Sequence, residues 1–375
     1  MVVSEIPCCA YRPGTYSAYA FVHGGDGWSH HQGPSLYRFA DGRVLVIWGA
    51  YDIQECSNDG LSLYSTSDDE GSSWRTPLVW MCTPNAVVSH FQIAETGLFG
   101  EAIMVYREGH FAGAVEDKRR RISTTWASYG RSTMHILTRR SADGGATWGA
   151  PSELDPVLVV GRTAPPFYGG PEQMLRLSDG SLLLLVVYLD PERRDPQHFN
   201  CAVLRSTDRG ASWVKTGDVT VNEQRGAMEP SVVEVGGGRL TGVIRNKSGY
   251  LYRFDAADFG CTVLPPRRTA LPSVESMSRV LRLASGKLLL VWNNQSSTAQ
   301  EPRHPLAAAL SPDLGESWGA PKIIADELER NQLSNFSLLQ AADGRILVCT
   351  SHYRALEPSS SDLDMLVLDE RWLSA

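Results

Sequence analysis

An octapeptide of the form Ser-x-Asp-x-Gly-x-Ser/Thr-Trp returns four times along the chain: SDDEGSSW (Ser67 to Trp74), SADGGATW (Ser141 to Trp148), STDRGASW (Ser206 to Trp213) and SPDLGESW (Ser311 to Trp318). A fifth copy, AADFGCTV from Ala256 to Val263, keeps Asp258, Gly260 and Thr262 but has lost the flanking Ser and Trp. The chemistry of this motif is local. The carboxylate can accept N–H bonds from its own turn, Gly supplies positive φ, and Trp covers the hairpin with an apolar face. Asp69, Asp143, Asp208, Asp258 and Asp313 therefore read as folding devices and not as catalysts.

A second repeat precedes each box. Apolar runs joined by a tight turn recur as PSLYRFADGRVLVIW, EQMLRLSDGSLLLLVVY, EPSVVEVGGGRLTGVIR, SRVLRLASGKLLLVW and FSLLQAADGRILVCT, with HFQIAETGLFGEAIMVYRE as an irregular copy. Each reads as two strands around an Asp-Gly or Ser-Gly type of turn. The repeating unit is then four strands over roughly 50 to 70 residues, the organisation of a propeller blade. The 34 glycines, 21 prolines and 10 tryptophans agree with short strands and frequent turns. The expected fold is all-β: a six-bladed β-propeller of four-stranded antiparallel blades, a single domain over 1–375. The strand-like stretch Ser17 to Val22 is expected to complete the last blade, which removes an open edge.

Within each hairpin the chain runs out along one strand and back along the next. Residues before the first strand and after the second therefore lie at one end, and the Asp-Gly turns at the other. The first hairpin brings His30, His31, Gln32, Tyr51 and Asp52 to that end, and the second His90, Gln92, Tyr106, Arg107, Glu108 and His110. The third adds Tyr168, Glu172, Gln173, Tyr188 and Asp190; the fourth Glu229, Arg245 and Asn246. The fifth brings Glu275, Asn293 and Asn294, and the sixth Asn335, His352, Tyr353 and Arg354. Closing a sheet does not require such a set. Arg and Asn recognise carboxylates and sugar hydroxyls in fixed geometry, so the set points to an oligosaccharide or polysaccharide partner.

The boxes with their hairpins resemble the Asp-box, or BNR repeat, sialidase superfamily over about residues 30 to 355. That resemblance implies a carbohydrate-active protein. MEPSVVEVGGGRLTGVIRN is similar to the sialidase segment in which a glutamate assists the nucleophile and an arginine binds the sialic-acid carboxylate, which gives Glu229 and Arg245 those places. Other sialidase elements are missing: Gln32-Gly33-Pro34 replaces an Arg-Ile-Pro motif, Tyr51 lies near a second arginine position, and Asn335 or Phe336 stands where a tyrosine nucleophile is expected. GWSHHQGPSLYRF is similar instead to relatives that remove L-rhamnose from glucuronate by hydrolysis or β-elimination, a polysaccharide lyase or glycosidase activity.

The expectation is exo-acting cleavage of a terminal sugar on an acidic, uronate-containing glycan. Arg107 or Arg245 would neutralise the carboxylate, His31 or His30 would move a proton, and Tyr353 or Tyr106 would serve as partner acid. A hydrolytic route would pair Glu229 with Asp52 or Glu172. His30, Gln32, His90, Gln173, Asn293, Asn294, Asn335 and His352 are the expected substrate-binding residues. An exo-α-sialidase with a rearranged site and a non-catalytic sugar-binding propeller are the alternatives.

A net charge of -7 argues against a nucleic-acid partner, which would need a basic surface; the one basic run, Lys118 to Arg121, is short. Seven cysteines without CxxC spacing indicate neither a zinc site nor a disulfide framework. No cofactor is expected, and no ligand spacing establishes calcium. No run of 18 apolar residues occurs, so no membrane span is expected. The start lacks a secretion signal, and the chain as given reads as cytoplasmic; an exported protein with its signal removed would look the same.

Overall fold

The computed structural model describes residues 17–24, 28–51, 60–110, 133–161, 169–193, 197–299, 302–326, 332–354 and 360–375. They fall into two compact units, one of Met1–Cys82, Lys247–Leu251 and Ala270–Ala375, the other of Thr83–Asn246 and Tyr252–Thr269. Strand β1 (Ser17–Val22) comes before the repeats. The first repeat forms β2 (His30–Arg38), β3 (Val44–Tyr51), β4 (Leu61–Ser67) and β5 (Leu78–Met81). The second forms β6 (Val87–Glu95), β7 (Ala102–His110), β8 (Thr133–Ser141) and β9 (Ser152–Glu153). The third forms β10 (Gly169–Arg176), β11 (Leu182–Leu189), β12 (Phe199–Ser206) and β13 (Val214–Val219). The fourth forms β14 (Met228–Gly236), β15 (Arg239–Arg245), β16 (Tyr250–Ala257), β17 (Thr262–Val263) and β18 (Arg267–Pro272). The fifth forms β19 (Ser278–Arg282), β20 (Leu288–Asn293), β21 (Leu306–Ser311) and β22 (Lys322–Ala325). The last contributes β23 (Gln332–Gln340), β24 (Ile346–Arg354) and β25 (Ser360–Leu368).

The second to fifth repeats make four stand-alone antiparallel sheets, each a blade of the propeller kind. Six separate blades do not form, which corrects the sequence expectation: the first and last repeats share one eight-stranded sheet, in the order β23-β24-β25-β2-β3-β4-β5 with β1 on β25. The join is a single parallel bridge between His30 and Ser361. Ser361 N donates to the Ser29 carbonyl at 3.0 Å, and Ser361 Oγ to the His31 carbonyl at 2.9 Å. Strand β1 runs antiparallel to β25, with Ser17 opposite Val367.

The second strands β3 and β11 are buried along their whole length, as is β20. They are covered on both faces, so their sequences VLVIWGAY, LLLLVVYL and LLLVWN show continuous apolar runs in place of alternation. Each buried Leu, Ile or Val contributes about 1.5–3 kcal/mol of transfer free energy. In the second unit this core spans Leu183, Leu185, Phe199, Val203, Val232, Ile244 and Phe254.

Each complete box occupies the turn between the third and fourth strands of its repeat. The Ser hydroxyl donates to the carboxylate two residues on and accepts the Gly N–H four residues on. These distances are 2.7 and 2.8 Å at Ser67, 2.7 and 2.8 Å at Ser141, 2.7 and 2.7 Å at Ser206, and 2.8 and 2.8 Å at Ser311. The carboxylate also takes a hydroxyl and a backbone N–H from the residue four further on, as Asp143 does from Thr147 at 2.5 and 2.9 Å. These bonds, then the one from Ser141, lower the Asp143 carboxyl to about 2. Asp208 and Asp313 are lowered to about 2 by the same kinds of donor. In the decayed copy Ala256 has no hydroxyl, Asp258 itself turns to φ 51°, and only the Thr262 hydroxyl reaches the carboxylate, at 2.9 Å. Box turns and hairpin turns meet: Gly144 N donates to the Gly100 carbonyl at 2.8 Å, and Glu70 of the first box bonds Arg38 at 2.8 Å. The start of each first strand and the end of the second are left at the other end of the sheet.

Those free ends carry a repeated irregularity. In β2, β6, β14 and β23 two residues oppose one on the partner strand, a β-bulge. Its first residue takes positive φ: Gly33 at 63°, His90 at 58°, Glu229 at 40° and Asn335 at 51°. A side chain in this region costs roughly 1–2 kcal/mol for any residue but Gly. β10 bulges as well, but Pro171 stands at the matching place, and β19 pairs without a shift. The bulge turns its side chain off the regular pleat at the strand end, which is how three of the nominated polar residues are aimed.

Two outcomes follow from these devices. Carboxyls held near 2, against about 3.9 when unfolded, contribute stability that is complete above pH 4 and lost as pH falls through 2. Urea unfolding should therefore show stability falling from pH 4 to pH 2, with a shallower fall in Asp143→Asn; an equally steep fall in the variant contradicts the assignment. At the bulge, Asn335→Gly should raise unfolding stability by about 1 kcal/mol and Asn335→Val lower it by at least as much. Thermal unfolding of the pair reads this directly, and a Val variant as stable as the parent removes the strain argument.

Candidate functional site

In the first unit, His30 and His31 open β2 and are almost fully buried. Ser29 Oγ lies 2.8 Å from His30 Nδ1, and the His30 ring stacks on Tyr353 with centroids 5.9 Å apart. His31 Nδ1 accepts the Trp48 indole N–H at 3.1 Å. The neutral ring then carries its proton on Nε2 and is a donor. His352 has the opposite arrangement: its Nδ1 is 2.8 Å from Asp364 Oδ2, both groups are buried, and the ring's acceptor is Nε2. Asp362, two residues along β25, holds Arg354 at 2.8 Å and the Gly24 N–H at 2.7 Å.

Asn293 gives its amide N–H groups to the carbonyls of Arg303 at 2.9 Å and Leu333 at 3.0 Å, so it ties neighbouring chain segments. Asn294 follows it, half-buried. The Asn335 carbonyl accepts the Ser351 hydroxyl at 3.2 Å, and that hydroxyl accepts Gly33 N–H at 3.1 Å, which links the two bulges. Gln32 is buried, and its Oε1 has no hydrogen-bond partner among the described residues.

In the second unit, Arg107 on β7 is 6% exposed and donates through Nε and Nη2 to Ser89 Oγ at 3.2 and 3.0 Å. Arg245, ending β15, is 4% exposed and donates from Nη1 to Glu229 Oε2 at 2.7 Å. His90 Nδ1 is 3.6 Å from Glu172 Oε1. Glu172 is 5% exposed, and its Oε2 has no partner among the described residues. Arg107 and His90 both border Gly170: a Cβ there would lie 3.5 Å from Arg107 Cδ and 3.6 Å from His90 Nδ1. Arg107, His90 and Glu172 therefore form one cluster, and Glu229, on the strand β14 that packs against β10, forms a second with Arg245. Gln173 is taken up by the fold, since its amide exchanges two bonds with the Val232 backbone at 2.9 and 2.7 Å.

Tyr106 is buried, its hydroxyl accepting Arg139 Nε at 3.2 Å and its ring stacking on Phe91 at 5.7 Å. Asp52 and Tyr168 lie outside the described residues, as do Cys8, Cys9, Cys56 and the Lys118 to Arg121 run. Among the described residues no group of three or more His, Cys, Asp or Glu is placed to hold a metal ion, and no helix is long and apolar enough to cross a membrane.

Sequence reasoning missed Ser89, Trp48, Asp362 and Asp364. The last two carried a readable signal. In SDLDMLVL the aspartates are two apart in an apolar strand and so share a face, as do His352 and Arg354 on the adjacent strand.

Comparison with solved structures finds this fold in several proteins. A Hadza microbial sialidase superposes with a TM-score of 0.72 at 17% identity, covering 95% of this chain and 69% of that one. The NanB sialidase from Streptococcus pneumoniae gives 0.72 at 15% identity, with 94% of this chain and 70% of that one covered. A protein of unknown function from Dyadobacter fermentans gives 0.70 at 17% identity, with 96% and 100% covered. At such identities the likeness establishes the fold alone. No curated protein matches the sequence. The model of the BNR repeat-like domain matches residues 119–348, more than half of the chain. With the Ser-Asp-Gly turns in place between the third and fourth strands of successive repeats, the chain belongs to the BNR repeat-like domain family.

Proposed function

We propose that this chain is a glycan-cleaving enzyme that removes a terminal sugar from an acidic, uronate-containing glycan. The reading is carried by Arg107 and Arg245, two guanidinium groups withdrawn from water at the free ends of second strands in one unit. Burying charge in this way costs several kcal/mol per ion and is not required by the sheets. Glu229 already meets Arg245 at 2.7 Å, and a planar guanidinium fork can also take a substrate carboxylate through paired hydrogen bonds. The sialidases of similar fold act in the same broad class of chemistry and support it at that level.

Hydrolysis is favoured over elimination, because the ring acceptor of His31, one of the two histidines expected to move the proton, is occupied by Trp48. Glu172 and Glu229 are assigned the acid and base roles: one protonates the leaving glycosidic oxygen and the other drives water onto the anomeric carbon. Arg245 holds Glu229 in place at 2.7 Å, whereas His90 Nδ1 stands 3.6 Å from Glu172, near enough for an ion pair but beyond a hydrogen bond. The first unit, taken by itself, has groups of the kind that contact sugars: His30 stacked on Tyr353, His31 as a donor, and the amides Asn294 and Asn335. The likeness of GWSHHQGPSLYRF to rhamnose–glucuronate enzymes is retained as the reason to test that linkage first.

The test incubates the protein with a rhamnosyl-glucuronate oligosaccharide, a sialoside and simple uronides. Released neutral sugar without new absorbance near 235 nm is the expected outcome; that absorbance would move the reaction to elimination, and free sialic acid would move the substrate. Arg245→Ala and Glu229→Gln should each lower kcat/KM by about 100-fold or more with the folded state retained. Full turnover in both variants would place the chemistry elsewhere.

A further inference from the structure

A cavity of about 490 Å³ opens in the second unit and shares no residue with the clusters described above. Part of its lining comes from the end of β13 and the segment after it, with Asp218, Thr220, Asn222 and Glu223. The rest is mostly apolar, from Val263, Leu264, Pro265 and Pro266, together with Tyr252 of β16. This volume lies within the range of small-molecule sites, ~300–1,000 Å³.

We propose that this cavity is an accessory subsite for a neutral pyranose, independent of whether the chain cleaves glycans. A pyranose ring has an apolar C–H face and an edge of hydroxyl groups. The cavity's lining supplies both kinds of group. Its polar part is rich in acceptors for O–H donors: two carboxylates, an amide and a hydroxyl. Both carboxylates are already positioned. Asp218 takes Lys215 Nζ at 2.8 Å and the Tyr188 hydroxyl at 3.0 Å. Glu223 takes the Tyr252 hydroxyl, a phenol whose ionisation is pushed up by burial and then by that carboxylate, so it stays a donor. Val221 in the same segment is pinned through its carbonyl by His198 Nε2 at 2.8 Å.

The apolar part is equally fixed. Pro265 and Pro266 have locked φ, and Leu264 N donates to the Asp255 carbonyl at 3.0 Å. A wall ordered beforehand loses little conformational entropy when a ligand packs on it. Among the described residues no Lys, Arg or His lines the cavity, and Lys215 beside it is already paired with Asp218, so a uronate or sialate carboxylate would meet the like charge of Glu223. A neutral sugar is therefore favoured over an acidic one.

Amide spectra of the isotope-labelled full chain, titrated with neutral methyl pyranosides and with methyl α-D-glucuronide, test the assignment. At least one neutral pyranoside should shift the amides of Asn222, Glu223 and Leu264 with an affinity of about 1 mM, and the glucuronide should leave them in place. Thr220→Trp, which fills the cavity, should abolish those shifts, and Asn222→Ala at an exposed position should weaken them at least 10-fold, with the remaining spectrum unchanged in both. No shift with any neutral pyranoside overturns the proposal, as do equal shifts with the glucuronide or shifts that survive both substitutions. Turnover is not read, so loss of the cleavage proposal and loss of this one are separate results.

Discussion

The Ser hydroxyl that donates to its own Asp and accepts from its own Gly is the interaction on which the rest of each sheet depends. It closes the turn between the third and fourth strands with side chain and backbone satisfied together, so the turn needs no burial to hold its shape. It also makes contact with the hairpin turns: Gly144 N bonds the Gly100 carbonyl, and Glu70 bonds Arg38. Both sets of turns thus take one end of a sheet. Polar side chains at the other end are relieved of any role in closing turns.

Much of this was legible before any coordinates. The boxes, the six antiparallel hairpins and the continuous apolar second strands are local patterns, and each forms where the pattern runs. The number of separate sheets was not legible. It depends on a single bridge between His30 and Ser361, and one backbone contact between residues 331 positions apart leaves no periodicity in either segment. The bulges were equally hidden, because Gly33, His90, Glu229 and Asn335 have no residue type in common. What they share is a backbone angle, which hydrophobic pattern does not encode.

For the candidate site, sequence supplied the residues and coordinates supplied their states. Strand geometry alone brought His31, His352, Arg107, Glu229 and Arg245 to strand ends. It could not show that His31 and His352 present the same ring nitrogen, Nε2, in opposite states, a donor on His31 and an acceptor on His352, since that is decided by partners in other strands: Trp48 on β3 for one and Asp364 on β25 for the other. Gln173 and Asn293 were selected for the same reasons as the others, yet their amides complete backbone hydrogen bonding between strands. Residue type cannot separate an amide that recognises a sugar from one that replaces a missing backbone partner.

That distinction also ranks the polar groups of the second unit. Arg245 and Glu229 satisfy one another at 2.7 Å, and Arg107 is directed at a hydroxyl. Glu172 is different. It is buried on the bulge of β10, one oxygen faces His90 at the long distance of 3.6 Å, and the other has no partner among the described residues. A fold that pairs Gln173, its immediate neighbour, twice over does not leave the adjacent carboxylate unmatched for want of donors. A buried carboxylate oxygen costs stability unless a further group completes it. Among the glutamates at the free strand ends, Glu172 is therefore the one whose position packing among the described residues explains least.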